Sequence, residues 1–309
     1  MKKAEPKRER EVRGASRREF LKTAAVGVAA AAGVPRAAEA FDIEAFFQKN
    51  FRELSDDGLR DLLDRLERKY SKKYGKEVSV GAEGPMDGVV YGYGLDISRC
   101  IGCRRCVYAC VEENNTSRDP QIQWIRVLEF EREDAIRGIN LEDGNPYYDH
   151  KTVPDEGKFY LPVSCMHCED SPCTNVCPAG ATWKEPDGIV VIDYDWCIGC
   201  RYCIAACPYG ARHFNWGEPS VPAEDINPDM HILGNRPRTR GVVEKCSFCV
   251  QRVRKGRYPA CAEACPVGAR KFGNLLDPNS EIRYLLEHKR TFVLKAELET
   301  HPKFFYFYD

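Results

Sequence analysis

No stretch of the 309-residue chain is apolar for long enough to span a bilayer, and no region is basic enough to suggest a nucleic-acid partner. A spanning helix needs about 20 mostly apolar residues. The longest apolar run, Thr23 to Val34, is alanine-dominated and stops at Pro35-Arg36. Residues 1–40 hold ten basic and five acidic side chains; without them 36 Lys+Arg face 42 Asp+Glu, a net of −6, the wrong sign for a polyanion partner. No nucleotide-binding glycine loop, Ser-His-Asp set or recognisable carboxylate pair is present, so substrate chemistry is expected on another chain. At 43% hydrophobic and 30% charged the composition is globular, with length enough for two domains.

Cysteine, by contrast, is abundant: sixteen residues fall into four groups. Cys100, Cys103, Cys106 and Cys110 are spaced C-x2-C-x2-C-x3-C, and Cys197, Cys200, Cys203 and Cys207 repeat that spacing. Cys165, Cys168, Cys173 and Cys177 widen the middle gap to four residues, and Cys246, Cys249, Cys261 and Cys265 widen it to eleven. Pro178, Pro208 and Pro266 follow the last cysteine of three groups, whereas Val111 follows Cys110. Cysteines three apart on a tight loop can aim several sulfurs into one cavity, and Gly102 and Gly199 allow the turn. Soft thiolates suit iron–sulfur centres and zinc alike. Zinc sites need two C-x2-C pairs rather than triplets with a trailing Cys-Pro, and disulfides give no reason for four near-repeats of one spacing. The spacing is the cluster-binding run in which three thiolates hold one iron–sulfur cluster and the fourth serves a neighbour.

Around the cysteines, Phe47, Phe51 and Leu54, then Leu59, Leu62, Leu63, Leu66 and Tyr70, recur at helical period; Ser55 is a good N-cap and Gly75 a good stop. Two helices within 41–80, packing on the chain's own body, are predicted. Gly81 to Gly94 reads as a linker or extended lead-in. Short strands are predicted at Phe159–Val163 and Gly188–Asp193, with another at Gln123–Glu129 inside an insertion running from Glu112 to Lys158; a second insertion runs from Asn215 to Gly241. The aromatic stretch Phe304–Tyr308 offers an edge strand or a docking patch, packing being the simpler outcome. His167 lies between two cysteines, where it could ligate or hydrogen-bond a cluster, but with all sixteen thiols available a ligand role is not needed. Arg104, Arg105, Arg201 and Lys245 adjoin cysteines and could tune a cluster, though solvation or salt-bridging is the commoner fate of such cations. Trp183, Trp196 and Trp216 flank the motifs, and burial is their expected state.

Two resemblances follow from these residues. Ser16-Arg17-Arg18-Glu19-Phe20-Leu21-Lys22 resembles a twin-arginine export signal, with Ala38-Glu39-Ala40 as a cleavage site before Phe41. That pathway carries folded, cofactor-loaded proteins. The sixteen-cysteine order over Gly94 to Gly273 resembles the four-cluster ferredoxin-like electron-transfer subunits of the complex iron–sulfur molybdoenzyme family, including those of dimethyl sulfoxide, polysulfide and tetrathionate reductases and of nitrite-reductase-associated systems. The resemblance implies an α+β fold of two interlocked ferredoxin-like domains, one from 81–150 and 242–275, the other from 151–241, between a signal (1–40) with a helical segment (41–80) and a tail (276–309).

It also implies four [4Fe–4S] clusters. Their ligands would be Cys100, Cys103, Cys106 and Cys265; Cys165, Cys168, Cys173 and Cys207; Cys197, Cys200, Cys203 and Cys177; and Cys246, Cys249, Cys261 and Cys110. The implied role is non-catalytic: electron relay at the outer face of the cytoplasmic membrane, between an integral-membrane quinone-interacting subunit and a molybdopterin or multihaem catalytic subunit. A free periplasmic ferredoxin would instead work without a stable partner, and a self-sufficient reductase would need an iron open to substrate, which no quartet provides.

Overall fold

Ser55 opens the first helix, α1 (Asp56–Tyr74), by accepting the Gly58 N–H at 3.2 Å, and Gly75 closes it in the left-handed region at φ 66°. Asp56 and Asp57 lie in the first turn and Lys72 and Lys73 in the last, each complementing the helix dipole. The computed structural model describes residues 55–133 and 139–308. The export motif, the cleavage site and the helix expected around Phe47 to Leu54 lie outside the described residues.

Leu66, Tyr70 and Tyr74 of α1 pack with Val78, Val80, Ile226 and Met230, so the stripe covers the chain's own body. The short strand β1 (Ser79–Gly81) continues this layer by pairing parallel with β8 (Asp229–His231) in the second insertion. Next to it His231 is buried; its Nδ1 accepts the Leu233 N–H at 3.1 Å and its Nε2 lies 3.0 Å from the Glu83 carbonyl, which assigns the proton to Nε2. Burial pushes its pKa down to about 4 against the partial support of Glu83, while Arg254 and Lys255 add to the fall.

A neutral buried histidine stabilises the fold above its unfolded pKa, and that stabilisation is lost as pH falls from about 6.5 to about 4. The gap corresponds to on the order of 3 kcal/mol. Denaturant midpoints measured from pH 7 to pH 4.5 are expected to fall less steeply in H231Q than in the parent chain; parallel curves would refute this.

The main sheet has strand order β10–β2–β12–β11: β2 (Tyr91–Asp96) lies between β10 (Arg270–Asn274), antiparallel, and β12 (Phe304–Tyr308), parallel, and β11 (Arg290–Phe292) closes the edge. The aromatic stretch is therefore an inner strand, paired on both sides, and neither an edge nor a docking patch. Its alternate residues explain this: Phe304 and Tyr306 are fully buried, with Phe304 stacked on Tyr93 at 4.7 Å. Helix α7 (Glu281–His288) buries Ile282 and Leu285 against this sheet.

The remaining elements are short. Helix α2 (Arg105–Glu113) follows β2 and packs on α6 (Ala260–Glu263), so the first and fourth cysteine segments meet. Helices α3 (Pro172–Asn175) and α4 (Tyr202–Ala205) pack on each other, so the second and third meet. Hairpins β3 (Arg126–Glu131) with β4 (Lys158–Val163), and β5 (Thr182–Lys184) with β6 (Val190–Ile192), are antiparallel, as is β7 (His213–Phe214) with β9 (Val243–Glu244). The strand expected at Gln123–Glu129 begins three residues later because Trp124 and Ile125 turn into the core. A single apolar cluster runs from Tyr93 and Cys106 through Phe248 to Met166, Val191 and Tyr209, drawing on all four cysteine segments. No helix of the described residues is long and apolar enough to cross a membrane.

Candidate functional site

The tight loops form as the glycines require. Gly102 and Gly199 each sit at φ 73°, followed two residues on by Arg104 and Arg201, also in the left-handed region. Gly180, Gly210 and Gly268, each three residues past a motif's last cysteine, repeat the conformation at φ 58–61°. At Gly199 a Cβ would stand 2.1 Å from the Gly241 carbonyl oxygen, whereas Gly256, at the same φ, has nothing within 4 Å. G256A should therefore lose only the left-handed penalty of about 1–2 kcal/mol. G199A should be destabilised well beyond it, because backbone has to move; equal midpoints for the two variants would refute the clash.

The loops bring the cysteines together across segments. Cys100, Cys103, Cys106 and Cys265 line one small cavity, walled by Leu95, Val127 and Pro162. Cys177, Cys197, Cys200 and Cys203 line a second, walled by Ile192 and Val243. Around Cys168 stand Cys165, Cys173 and Cys207. Around Cys110 stand Cys249, Cys246 and Cys261, with Cys106 also near. All sixteen are free of disulfides. Among the described residues no three His, Cys, Asp or Glu side chains converge on one point as a lone ion requires.

Four thiols per set fit a cuboidal iron–sulfur cluster in donor chemistry and in number. Burial pushes the Cys100 thiol up to about 11 and those of Cys168 and Cys246 up to about 12, with neighbouring thiols adding to the rise. Such thiols surrender their protons only to a metal centre, which couples loading to proton release. A bound [4Fe–4S] cluster supplies one-electron storage, while the chain excludes water and donates hydrogen bonds to sulfur. Donors stand ready: the Phe248 N–H reaches Cys246 Sγ and the Val243 N–H reaches Cys197 Sγ, both at 3.4 Å, and Asn114 Nδ2 lies 3.5 Å from both Cys110 and Cys249.

His167, fully buried between Cys165 and Cys168, stacks on Phe248 with ring centroids 3.7 Å apart and accepts the Val190 N–H at Nδ1. Burial, with the cations Lys245, Lys303 and Arg212 around it, holds its pKa well below the usual range. Lys245 is buried rather than solvated and donates to the Val190 and Cys246 carbonyls, burial lowering its pKa against the pull of the Cys165 and Cys246 thiols. Arg104 is held by Pro146 O and Gln123 Oε1, and Arg201 lies over the Trp216 ring at 4.7 Å. Trp183 is partly buried. Trp196 and Trp216 are not: they are 38% and 66% exposed, because they stand on the rim of the third motif, where Arg201 rather than the core covers Trp216.

Two side chains that the cysteine spacing did not single out also touch the sulfurs. Arg212 donates to Cys173 Sγ at 2.9 Å and to Thr182 Oγ1 at 3.1 Å. Arg270 donates to Cys106 Sγ at 3.3 Å and to the Tyr93 hydroxyl at 3.3 Å. Both are buried. The signal for them is a second repeat nested behind the first, since Cys207-Pro208-Tyr209-Gly210-Ala211-Arg212 and Cys265-Pro266-Val267-Gly268-Ala269-Arg270 share one pattern. In Cys177-Pro178-Ala179-Gly180-Ala181-Thr182 the final position is Arg212's own partner.

Comparison with known proteins agrees with this geometry. Two family profiles, both described as 4Fe–4S dicluster domains, match residues 157–229 with 231–275, and 99–181. The chain is 44% identical over 220 residues to the iron–sulfur chain of a putative dimethyl sulfoxide reductase of Halobacterium salinarum, covering 70% of this chain and 78% of that protein. It is 34% identical over 312 residues to one of the subunits of the selenate reductase of Mesobacillus selenatarsenatis, covering 96% and 98%. It is 36% identical over 247 residues to the iron–sulfur cluster-binding subunit of a menaquinone reductase of Nitratidesulfovibrio vulgaris, covering 71% and 88%. With sixteen thiols in four groups behind dicluster sequence motifs, this chain belongs to the family of four-[4Fe–4S] electron-transfer subunits of complex iron–sulfur molybdoenzymes.

Proposed function

We propose that this subunit relays electrons between a quinone-reactive integral-membrane subunit and a catalytic subunit carrying molybdopterin or multihaem, at the outer face of the cytoplasmic membrane after export by the twin-arginine route. The observation that carries the relay is the continuity of the sulfur sites. The set of Cys100, Cys103, Cys106 and Cys265 adjoins the set of Cys110, Cys246, Cys249 and Cys261 through Arg270, bonded to Cys106 Sγ, and the Tyr93 hydroxyl, which lies 3.1 Å from Cys261 Sγ. Cys165 then neighbours Cys246, joining this pair to Cys165, Cys168, Cys173 and Cys207, and Cys173 neighbours Cys203 in the set with Cys177, Cys197 and Cys200. We take these as the four ligand sets, in that order along the wire, with the first and fourth motifs forming one ferredoxin-like domain and the second and third another, interlocked. The meeting of α2 with α6 and of α3 with α4 supports the pairing.

Partners that act on quinone or on an oxyanion are suggested by the relatives' names, and relatives that are subunits favour this reading over a free carrier. The Ser16–Lys22 motif supports the export route. The test is anaerobic purification of the native protein after gentle extraction, with iron and sulfide analysis and a potentiometric titration by electron paramagnetic resonance. Near sixteen iron per chain with co-purifying membrane and catalytic subunits is expected. A loaded protein that runs alone would overturn the wired reading, and export that survives R17K/R18K would overturn the route.

A further inference from the structure

We propose that Arg270, Lys245 and Arg212 form a ladder of buried cations, one at each of the three junctions between consecutive clusters, and that each raises the potentials of the two clusters it separates together. This rests on the ligand sets and wire order proposed above. Arg270 bonds Cys106 of the first set and, through Tyr93, reaches Cys261 of the next: the contacts Cys106 Sγ–Arg270, Arg270–Tyr93 Oη and Tyr93 Oη–Cys261 Sγ measure 3.3, 3.3 and 3.1 Å. Lys245 donates to the Cys246 carbonyl of that second set and lies near Cys165 and Cys173 of the third. Arg212 bonds Cys173 of the third set at 2.9 Å and neighbours Cys203 of the last. All three are buried, and none has a carboxylate partner among the salt bridges of the described residues. A buried cation without a carboxylate is costly unless other negative charge faces it, and here that charge is sulfur on either side.

Position gives the ladder its consequence. One electron leaves a donor cluster and reduces its neighbour. The cation between them faces that negative charge before the transfer and after it, so it steadies both states nearly alike. A cation on the far side of either cluster would favour one over the other and open a step in potential. At an effective dielectric near 20, deleting a unit charge adjacent to a cluster shifts its reduction equilibrium by about tenfold or more.

The test compares R270M, R212M and K245M with the charge-keeping R270K, R212K and K245R, all in the iron-loaded full chain. Iron content and the midpoint of each paramagnetic signal are read, with signals assigned to sets by single Cys→Ser variants. R270M is expected to shift both signals of the first and fourth motifs by at least about tenfold in reduction equilibrium, 59 mV for a one-electron couple, and to leave the other two in place. R212M is expected to do the reverse, K245M to shift one signal from each half, and the charge-keeping variants to stay within about twofold of the parent. Sixteen iron with unmoved potentials, or a uniform shift of all four signals, would overturn the ladder while leaving the ligand sets intact. Shifts confined to a single signal in both arginine variants would overturn it too. If the Cys→Ser assignments contradict the proposed sets, the reading beneath the ladder fails instead, and the ladder with it. Should a methionine variant lose iron, its charge-keeping counterpart (R270K, R212K or K245R) decides: iron and potentials retained support charge as the cause, and iron lost again makes that cation a structural clamp and overturns the proposal.

Discussion

Replacing Glu244 with leucine should cost about 3–5 kcal/mol of stability, the usual penalty for stranding a buried charge. Glu244 is fully buried on β9; it accepts Trp124 Nε1 at 2.9 Å and Asn215 Nδ2 at 2.8 Å, and Arg238 Nε stands 3.2 Å from it. Arg238 is equally enclosed, donating to the Asn114 and Arg236 carbonyls and lying over the rings of Trp124 and Tyr194. Without the carboxylate, that guanidinium retains three carbonyl dipoles, of Asn114, Arg236 and Gly234, and two ring faces but no counter-charge. The double variant R238M/E244L, which removes both charges and keeps apolar bulk, should recover most of the loss. Guanidinium unfolding with the clusters intact measures both. A single-variant loss under about 1 kcal/mol would mean the pair is not the tie between the second insertion and the segment after α2 that the contacts describe.

Stripping the iron should have the largest effect, because the elements that carry the cysteines cannot hold themselves. Helices α3, α4, α5 (Val250–Val253) and α6 are four residues each, below the length at which a helix persists without tertiary support. Two of them lean on two-stranded sheets, α3 on β5–β6 and α5 on β1–β8, and such sheets are marginal alone. Chelation under reductant is expected to remove most near-ultraviolet dichroism and to open residues 165–265 to protease. Resupplying iron and sulfide should reverse both changes, since binding free energy here is folding free energy. A stripped chain that stays protease-resistant with its dichroism intact would contradict this.

Much of this molecule is legible in the order of its residues. Sixteen cysteines at cluster spacing, glycines at the turns and an N-cap and stop around α1 each stand where local chemistry puts them. What cannot be read is what depends on distant partners. Phe304–Tyr308 shows an aromatic stretch but not that β2 and β11 flank it, because strand order is decided by packing across more than 200 residues. Trp196 and Trp216 carry no local sign of facing outward. Arg212 and Arg270 lie five residues beyond the last cysteine of their motifs, outside the spacing that marks a ligand, although the repeated Cys-Pro-x-Gly-Ala pattern points to them. His167 has a ligand's place in the sequence and is instead a wedge, its ring stacked on Phe248 and its Nδ1 bonded to Val190.

The threading of β12 between β2 and β11 also bears on how the molecule is made. A nascent chain leaves the ribosome from its N-terminus at about 5–20 residues per second. Tyr91–Asp96 therefore emerges long before Arg270–Asn274 and Phe304–Tyr308, its two neighbours in the sheet. For most of synthesis that strand has neither edge covered, and the cavity beside it awaits Cys265. Completion is thus a late event, reached only when Phe304–Tyr308 is free, and an early strand with both edges open is the kind of segment that a dedicated chaperone would have reason to shield.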